Sequence, residues 1–236
     1  MKHYLIADLI SNLFIFIFIQ LLFDNMFPVV LSNNSWNAAV FGGGKVAERR
    51  VMKLLDAGMN IEVFSKRFSA GLTKVSNSNL KLVTIDLNKT VIDYKKFDII
   101  FIATDDRTLN NKLESESKKE CKLVNRVDKI VDFMVPATIE MDNIKISIST
   151  TGKSPAMAKE IKKRLKKLLT EEDLLSIELQ EFTRYKLKEK VKNQKMRRAF
   201  IKEIMTDIEV KYLISKGDLK KAKKVIRRAV NAYGKH

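Results

Sequence analysis

The clearest chemical signal in the sequence is a run of three glycines, Gly42 to Gly44, between an apolar segment and a segment of helical pattern. Gly42, Gly44 and Ala47 have the spacing G-x-G-x-x-G/A, in which the second glycine lets a pyrophosphate approach the backbone at a helix N-terminus. We therefore predict a dinucleotide site formed by Gly42, Gly43, Gly44, Lys45, Val46 and Ala47. A tight strand-to-helix turn that holds no ligand is the alternative.

The identity of the dinucleotide depends on the end of the next predicted strand, where the chain reads Val63-Phe64-Ser65-Lys66-Arg67. An acidic residue usually holds the ribose hydroxyls at this place. Ser65 would replace it for NAD, whereas Lys66 and Arg67 would favour the 2′-phosphate of NADP. On these residues alone, the choice between the two cofactors stays open.

Proton transfer in this chain must use a carboxylate, a lysine or a tyrosine, because the only histidines are His3 and His236, at the ends of the chain. Asp128 follows a predicted strand and is the preferred base, with Asp132 as second choice. The structural alternative for Asp128 is that it caps a turn or pairs with Arg126.

Other polar residues follow the same predicted strands, at the sheet edge where α/β proteins bind ligands. We expect Thr104 and Asp105 at the cofactor and Asn125 at the substrate. Asp105 and Asp106 would also serve as N-caps of the following helix, and we favour that role over catalysis.

A second turn, Ser149 to Pro155, leads from a predicted strand into a helix. Ser154 has the character of an N-cap, and Pro155 suits the first helical position. Lys153 and the exposed amides also form an anion site, so Lys153 and Ser154 are candidate substrate contacts. A well-capped helix without a ligand is the alternative.

These segments alternate in the order expected of a parallel sheet covered by helices. The helical stretch Val46–Ala57 should bury Val46, Val51, Leu54 and Leu55. A second helix is predicted over Leu109–Lys118. The predicted strands are Asn37–Phe41, Asn60–Phe64, Leu80–Ile85, Asp98–Ala103 and Lys122–Asn125. We therefore predict an α/β, Rossmann-type nucleotide-binding domain.

Composition narrows the function further. The chain has 236 residues, and its single cysteine, Cys121, cannot form an intrachain disulfide, which fits a reducing compartment. No cysteine and histidine cluster exists in the sequence to hold zinc or an iron–sulfur centre, so we predict no bound metal. The net charge is +17, of which +14 lies in residues 151–236, which contain 25 basic and 11 acidic side chains.

The N-terminal 25 residues are a separate question. Leu13 to Phe23 is almost wholly apolar, but it is shorter than the about 20 residues that a membrane span needs. It would be a membrane tether, a signal-like segment without a clear cleavage site, or an extension ahead of a start at Met26.

Together these motifs resemble the precorrin-2 dehydrogenase family, which includes the N-terminal module of siroheme synthase. The resemblance runs from about Met26 to Leu169. It is carried by Gly42-Gly-Gly-Lys-Val-Ala-Glu-Arg-Arg50, Ala103-Thr-Asp-Asp106 with Asn110, Asn125-Arg-Val-Asp128, Phe133-Met-Val-Pro136 and Ser149-Thr-Thr-Gly-Lys-Ser-Pro-Ala-Met-Ala158. Met26-Phe-Pro-Val-Val-Leu31 is similar to the family's usual opening, which favours the reading of residues 1–25 as an extraneous extension.

The resemblance implies a cytoplasmic enzyme that oxidises precorrin-2 to sirohydrochlorin, with NAD as hydride acceptor, in siroheme biosynthesis. It implies that Asp128 is the catalytic aspartate. Some members of the family also insert iron, and the sequence does not decide whether this chain does. Precorrin-2 carries acetate and propionate groups on all four rings, so basic residues of the last third would attract it.

We expect four parts in the chain. Residues 1–25 would be an apolar extension, 26–134 a NAD-binding domain, 135–170 a small α+β unit and 171–236 a helical domain, broken near Asn193 and at Gly217-Asp218. The unit at 135–170 resembles the family's dimerisation domain, and the resemblance implies a homodimer.

Two other classes share some of these features. A nucleotide-sensing regulatory domain of the potassium-channel type would have the glycine turn, but it would not need Asp128 or the turn at Lys153. A nucleic-acid binder would explain the charge, yet the basic residues are not interleaved with the aromatic ones that base stacking requires.

Overall fold

The computed structural model describes residues 26–32, 35–120 and 123–233. These residues divide into two compact units, with the boundary between Val135 and Pro136. The predictions for the apolar segment Leu13–Phe23, for His3, His236 and Cys121, and for the start of the fifth strand at Lys122 lie outside the described residues. Within those ranges, no helix combines the length and the apolar character that crossing a membrane requires.

A five-stranded parallel sheet forms the centre of the first unit. Its strands have the spatial order β3-β2-β1-β4-β5. Strands β2 and β3 therefore lie on one side of β1, and β4 and β5 lie on the other. Phe41, the last residue of β1, pairs with Phe64 of β2 and with Ile102 of β4. The strands are β1 Asn37–Phe41, β2 Asn60–Ser65, β3 Leu80–Thr84, β4 Ile99–Ile102 and β5 Val124–Arg126. The predicted α/β fold class and its parallel sheet are confirmed.

Hydrophobic residues cover both faces of this sheet, because successive side chains of a buried strand point to opposite sides. Ala39 and Phe41 belong to a cluster on one face, and Ala38 and Val40 to a cluster on the other. The Phe41 ring stacks on Phe64 at 5.4 Å between centroids. This burial holds the carboxyl ends of β1 and β4 side by side.

The helices of the first unit are α1 Lys45–Asp56, α2 Ala70–Thr73 and α3 Arg107–Ser117, with a 3₁₀ helix at Tyr94–Lys96. The predicted inner face of α1 is correct for Val51 and Leu54, which are buried, but wrong for Val46, which is 41% exposed. Ala47 is buried instead, because it lies four residues before Val51 and so shares its face of the helix. Val46 precedes Ala47 by one residue and therefore points away from that face.

In the second unit, β6 Ala137–Met141 and β7 Ile144–Ile148 form an antiparallel hairpin. Asp142 adopts a positive φ of 44° in its turn. Helix α4, Pro155–Lys166, packs on the hairpin through Ala158, which shares a small core with Ile139 and Ile148.

Four helices follow: α5 Glu171–Lys190, α6 Gln194–Ile204, α7 Ile208–Ser215 and α8 Leu219–Tyr233. The predicted break near Asn193 is confirmed, since Asn193 caps α6 through two backbone amides. The break at Gly217 is confirmed as well, where φ is 70°. A third break was not predicted: Asp207 caps α7 and separates it from α6.

Candidate functional site

The candidate site lies at the carboxyl ends of β1 and β4, the two neighbouring strands at which the strand order of the first unit's sheet reverses. Open α/β sheets bind ligands at this switch point, because the loops there diverge and leave a crevice. The glycine turn follows β1, and Thr104 follows β4 after Ala103, whose N–H donates to the Phe41 carbonyl at 2.8 Å. The N–H of Gly42 donates to the Phe64 carbonyl at 2.9 Å and ties the turn to β2.

Two of the three glycines are required by close packing of backbone on backbone. Gly42 has a φ of +115°, which side chains rarely tolerate, and a Cβ there would overlap the Ala103 carbonyl group. A Cβ on Gly43 would overlap the Arg67 carbonyl and lie 2.9 Å from Ser65 Oγ. The turn is therefore packed against the segments that follow β4 and β2.

Gly44 differs from the other two, because it borders open space. Its backbone is extended, with φ −81° and ψ −173°, and a Cβ there would meet no atom within 4 Å. It is the N-cap residue of α1, and no side chain caps this helix end. The N-terminus of α1 thus presents backbone amides beside a space that an anion can occupy, which fits a pyrophosphate.

A loop after β2 covers the side of the glycine turn. The Ser69 N–H donates to the Gly43 carbonyl at 2.7 Å, and the Ser69 hydroxyl donates to Glu48 at 2.5 Å. Glu48 also pairs with Lys45 at 3.0 Å, and the hydrogen bond from Ser69 is the main reason why its pKa is lowered. Sequence analysis missed Glu48 and Ser69. Gly71 also lies against Glu48, since a Cβ there would overlap the carboxylate, but no local sequence pattern indicates this contact.

Ser65 ends β2 beside this turn, and its Oγ accepts a weak hydrogen bond from the Arg67 N–H at 3.4 Å. Lys66 is not free, because its ammonium lies 3.1 Å from the Asp86 carboxylate. Arg67 is exposed and forms no side-chain hydrogen bond or ion pair with the described part of the chain.

Thr104 and Asn110 lock the loop between β4 and α3. The Thr104 hydroxyl donates to Asn110 Oδ1 at 2.5 Å, and Asn110 Nδ2 donates to the Thr104 carbonyl at 3.2 Å. Asp106 caps α3 by accepting from the Thr108 and Leu109 N–H groups, as predicted. The cap prediction is wrong for Asp105, which is exposed between Thr104 and Asp106 and does not cap the helix.

Asp128 lies just beyond β5 and is held by Arg126. The guanidinium makes two parallel hydrogen bonds to its carboxylate, Nε to Oδ1 at 2.9 Å and Nη2 to Oδ2 at 2.6 Å. The Arg126 side chain is 2% exposed, and its remaining nitrogen, Nη1, donates to Glu114 and Asn111, each at 2.6 Å. Glu114 in turn pairs with Lys129 at 2.8 Å.

This ion pair fixes the protonation state of the candidate base. The hydrogen bonds from Arg126 lower the pKa of Asp128 below its usual 3.8, although partial burial acts in the opposite direction. Asp128 is therefore ionised near neutral pH. The pairing of Asp128 with Arg126 was the structural alternative to a role as base. Asp132, the second choice, accepts from the Val124 N–H at 2.9 Å and from Lys118, so it ties down the start of β5.

Asn125 is buried within β5, with 4% of its surface exposed. Its Nδ2 donates to the Phe133 carbonyl at 2.8 Å and anchors the loop that carries Asp128. Its Oδ1 is buried without a hydrogen-bond partner in the described structure. An unpaired buried acceptor is unfavourable, so a nearby N–H donor would stabilise it.

Lys153 and Ser154 lie in the second unit, whereas the other predicted site residues lie in the first. Ser154 caps α4 by accepting from the Met157 N–H at 3.2 Å, and Pro155 begins the helix, as predicted. Lys153 is exposed and follows Gly152, which has a φ of 79°. Over the described residues, no group of three or more His, Cys, Asp or Glu side chains is arranged to hold a metal ion.

Two protein families match the chain. One, described as "Putative NAD(P)-binding", matches residues 29–137, which span the parallel sheet. The other, described as "Sirohaem biosynthesis protein central", matches residues 142–168, from the hairpin turn to the end of α4.

Two archaeal relatives match most of the chain. "Putative precorrin-2 dehydrogenase" of Methanocaldococcus jannaschii is 35% identical over 206 residues, which cover 81% of this chain and 97% of that protein. "Precorrin-2 dehydrogenase" of Methanosarcina barkeri is 31% identical over 189 residues, which cover 77% and 84%. "Siroheme synthase" of Blochmanniella floridana is 29% identical, and the match spans 44% of its length.

One solved structure, "SirC, precorrin-2 dehydrogenase", superposes with a TM-score of 0.67. The match covers 86% of this chain and all of the other, at 22% sequence identity. At that identity the likeness is one of fold.

Proposed function

The chain belongs to the family of precorrin-2 dehydrogenases and siroheme synthase N-terminal modules, and we propose that it oxidises precorrin-2 to sirohydrochlorin in the cytoplasm, as a step of siroheme biosynthesis. The observation that supports this most directly is the juxtaposition at one sheet edge. A glycine turn with open space at Gly44 follows β1, and the carboxylate of Asp128, paired with Arg126, follows β5, two strands away.

The proposed cofactor site is the turn that the sequence predicted. The open space at Gly44 and the uncapped N-terminus of α1 suit a pyrophosphate, with contacts from Gly42 to Ala47 and from Thr104 and Asp105. A nicotinamide supplies a hydride acceptor when it is bound. The two close-packed glycines, Gly42 and Gly43, keep the turn in the shape that this binding needs.

We favour NAD over NADP. Of the two basic residues after β2, Lys66 is neutralised by Asp86, so only Arg67 is left to attract a 2′-phosphate. Ser65 accepts a backbone hydrogen bond and keeps its hydroxyl proton available for a ribose oxygen.

Oxidation of precorrin-2 removes a hydride and a proton, and Asp128 is our candidate for accepting the proton. Its two hydrogen bonds to Arg126 hold both carboxylate oxygens in a fixed plane. Asn111 and Glu114 fix Arg126 from the opposite side. The carboxylate is thereby oriented before substrate arrives.

The proposal includes three substrate contacts and a homodimer. Asn125 would use its unpaired Oδ1 to accept from a substrate N–H once binding opens its surroundings, while Lys153 and the Ser154 turn would meet a substrate carboxylate. Residues 26–134 would act as the nucleotide domain, 135–170 as the dimerisation domain and 171–236 as the helical domain.

The test is formation of NADH, followed by its absorbance, when the pure full-length chain is mixed with precorrin-2 and NAD. We expect turnover that requires both compounds. Nucleotide binding without any NADH formation from precorrin-2 would instead support a regulatory, nucleotide-sensing role.

A further inference from the structure

A groove between α5 and α6, within the second unit, is lined by basic side chains and by no acidic one. It encloses about 550 Å³, which is within the range of small-molecule sites. Its cations are Arg184, Lys188, Arg197, Arg198 and Lys202. We call this feature the basic groove.

The helix repeat explains how these charges come together. Arg184 and Lys188 are four residues apart on α5, as are Arg198 and Lys202 on α6, so each pair lies on one face of its helix. Thr183 and Leu187, each one residue earlier, are buried in the helical core. The burial of that neighbouring face orients the cationic face of α5 toward the groove.

Arg197 is the one cation of the basic groove that is anchored to the described backbone. Its Nη1 donates to the carbonyls of Val191 and Lys192, at 2.7 and 2.8 Å, where α5 ends and α6 has not yet begun. This fixes the guanidinium and leaves its other nitrogens available.

The other four cations have no paired carboxylate among the described residues. Arg184, Lys188, Arg198 and Lys202 form no hydrogen bond or ion pair with any residue that the structure describes. Nearby lysines of the same unit are paired, for example Lys186 with Glu189 and Lys223 with Glu178. Like charges that converge without a partner repel each other, and a concave surface focuses their field onto any anion that enters.

We propose that the basic groove binds the carboxylates of a polycarboxylate tetrapyrrole, the substrate or product of the proposed reaction, and the identity of this ligand rests on that proposed function. Precorrin-2 has acetate and propionate groups around an apolar ring system. Arginine binds carboxylates through paired N–H groups, and the Ile201 side chain with the arginine and lysine stems offers apolar surface to the ring. The groove has no aromatic lining for stacking nucleic-acid bases.

The test compares two double variants of the full-length chain. Arg198→Gln with Lys202→Gln removes one wall of the basic groove. Lys224→Gln with Arg228→Gln is the matched control, since it removes the same two residue types, four positions apart, from exposed and unpaired sites on α8 outside the groove. The probe is uroporphyrin, a stable porphyrin with eight carboxylates, and binding is followed by its fluorescence.

We expect the groove variant to bind uroporphyrin about tenfold more weakly than wild type, the scale of losing two exposed ion pairs. The control should stay within about twofold, and the difference should shrink as salt is raised. Equal affinity of both variants, with urea unfolding unchanged, would overturn the proposal. So would a single-stranded RNA oligonucleotide or polyglutamate that binds the groove and is not displaced by uroporphyrin.

Wild-type NADH formation from precorrin-2 separates this inference from the proposed function. Turnover by wild type together with groove-independent uroporphyrin binding would refute the groove alone. Groove-dependent binding in a wild type that forms no NADH would refute the dehydrogenase assignment and leave the anion site.

Discussion

Replacing Gly42 and Gly44 separately by alanine should distinguish the folding role of the glycine turn from its ligand-binding role. Gly42 has a positive φ and no room for a Cβ, whereas Gly44 is extended and faces open space. Gly42→Ala should therefore destabilise the first unit. Gly44→Ala should leave the unit folded and place a methyl group where we propose the pyrophosphate.

The structure supports an estimate for each change. At Gly42, a side chain at φ +115° costs about 1–3 kcal/mol in backbone strain, and moving the Ala103 carbonyl aside adds about 1–3 kcal/mol. Together they amount to about 2–6 kcal/mol, a large fraction of the about 5–15 kcal/mol that stabilises a typical domain. At Gly44, alanine is only a poorer N-cap than glycine, so the loss should stay below about 1 kcal/mol.

Urea unfolding can be followed through Trp36, the single tryptophan, which packs against the core of the sheet. Cofactor affinity can be measured by titration calorimetry with NAD. We expect Gly44→Ala to lower that affinity at least tenfold, or about 1.4 kcal/mol. Wild-type affinity in folded Gly44→Ala would show that no pyrophosphate binds at this turn, and wild-type stability of Gly42→Ala would contradict the packing argument.

Three further predictions concern the polar network and the cofactor. Asp128→Asn should slow NADH formation about 100-fold while NAD still binds. Glu114→Gln, which also removes a carboxylate from Arg126, is the control, and it should slow NADH formation much less. Because the pKa of Asp128 is lowered in the folded state, the ionised carboxylate stabilises the fold above pH about 4, and this stabilisation is lost as the pH falls further. The difference in unfolding free energy between wild type and Asp128→Asn should therefore be constant from pH 8 to about 5 and shrink below about 4. Turnover should be faster with NAD than with NADP. Asp86→Asn releases Lys66 and should raise the ratio of kcat/KM with NADP to kcat/KM with NAD. The control Glu62→Gln releases Lys81 and Lys96 instead and should leave this ratio unchanged.

Sequence periodicity predicted the strands of the sheet because each is a short apolar run. Residue type predicted the caps Asp106 and Ser154, and the helix break near Asn193, because these are local features. It failed where the decision is tertiary. The phase of α1 depends on Ala47 packing against the sheet, which leaves Val46 exposed.

The candidate site divides in the same way. The fingerprint identified Gly42 and Gly44 from spacing, but only the fold shows that Gly43 is required by the Arg67 carbonyl, more than 20 residues away. Pairing of Asp128 with Arg126, two positions apart, was foreseeable. The contacts of Arg126 with Asn111 and Glu114 depend on α3 lying beside β5, which no local pattern indicates.

The Arg126 pair makes Asp128 a weak base, and the proposed chemistry accommodates this. A base works best when its pKa is near the working pH, and Arg126 moves that of Asp128 in the opposite direction. However, loss of a hydride leaves the substrate positively charged, which makes its neighbouring protons strongly acidic. The reaction then needs a carboxylate that is always ionised and correctly oriented, and its negative charge also stabilises the developing cation. Asparagine would lose both properties while preserving the shape of Asp128, which is why Asp128→Asn should impair the reaction rate far more than it impairs the fold.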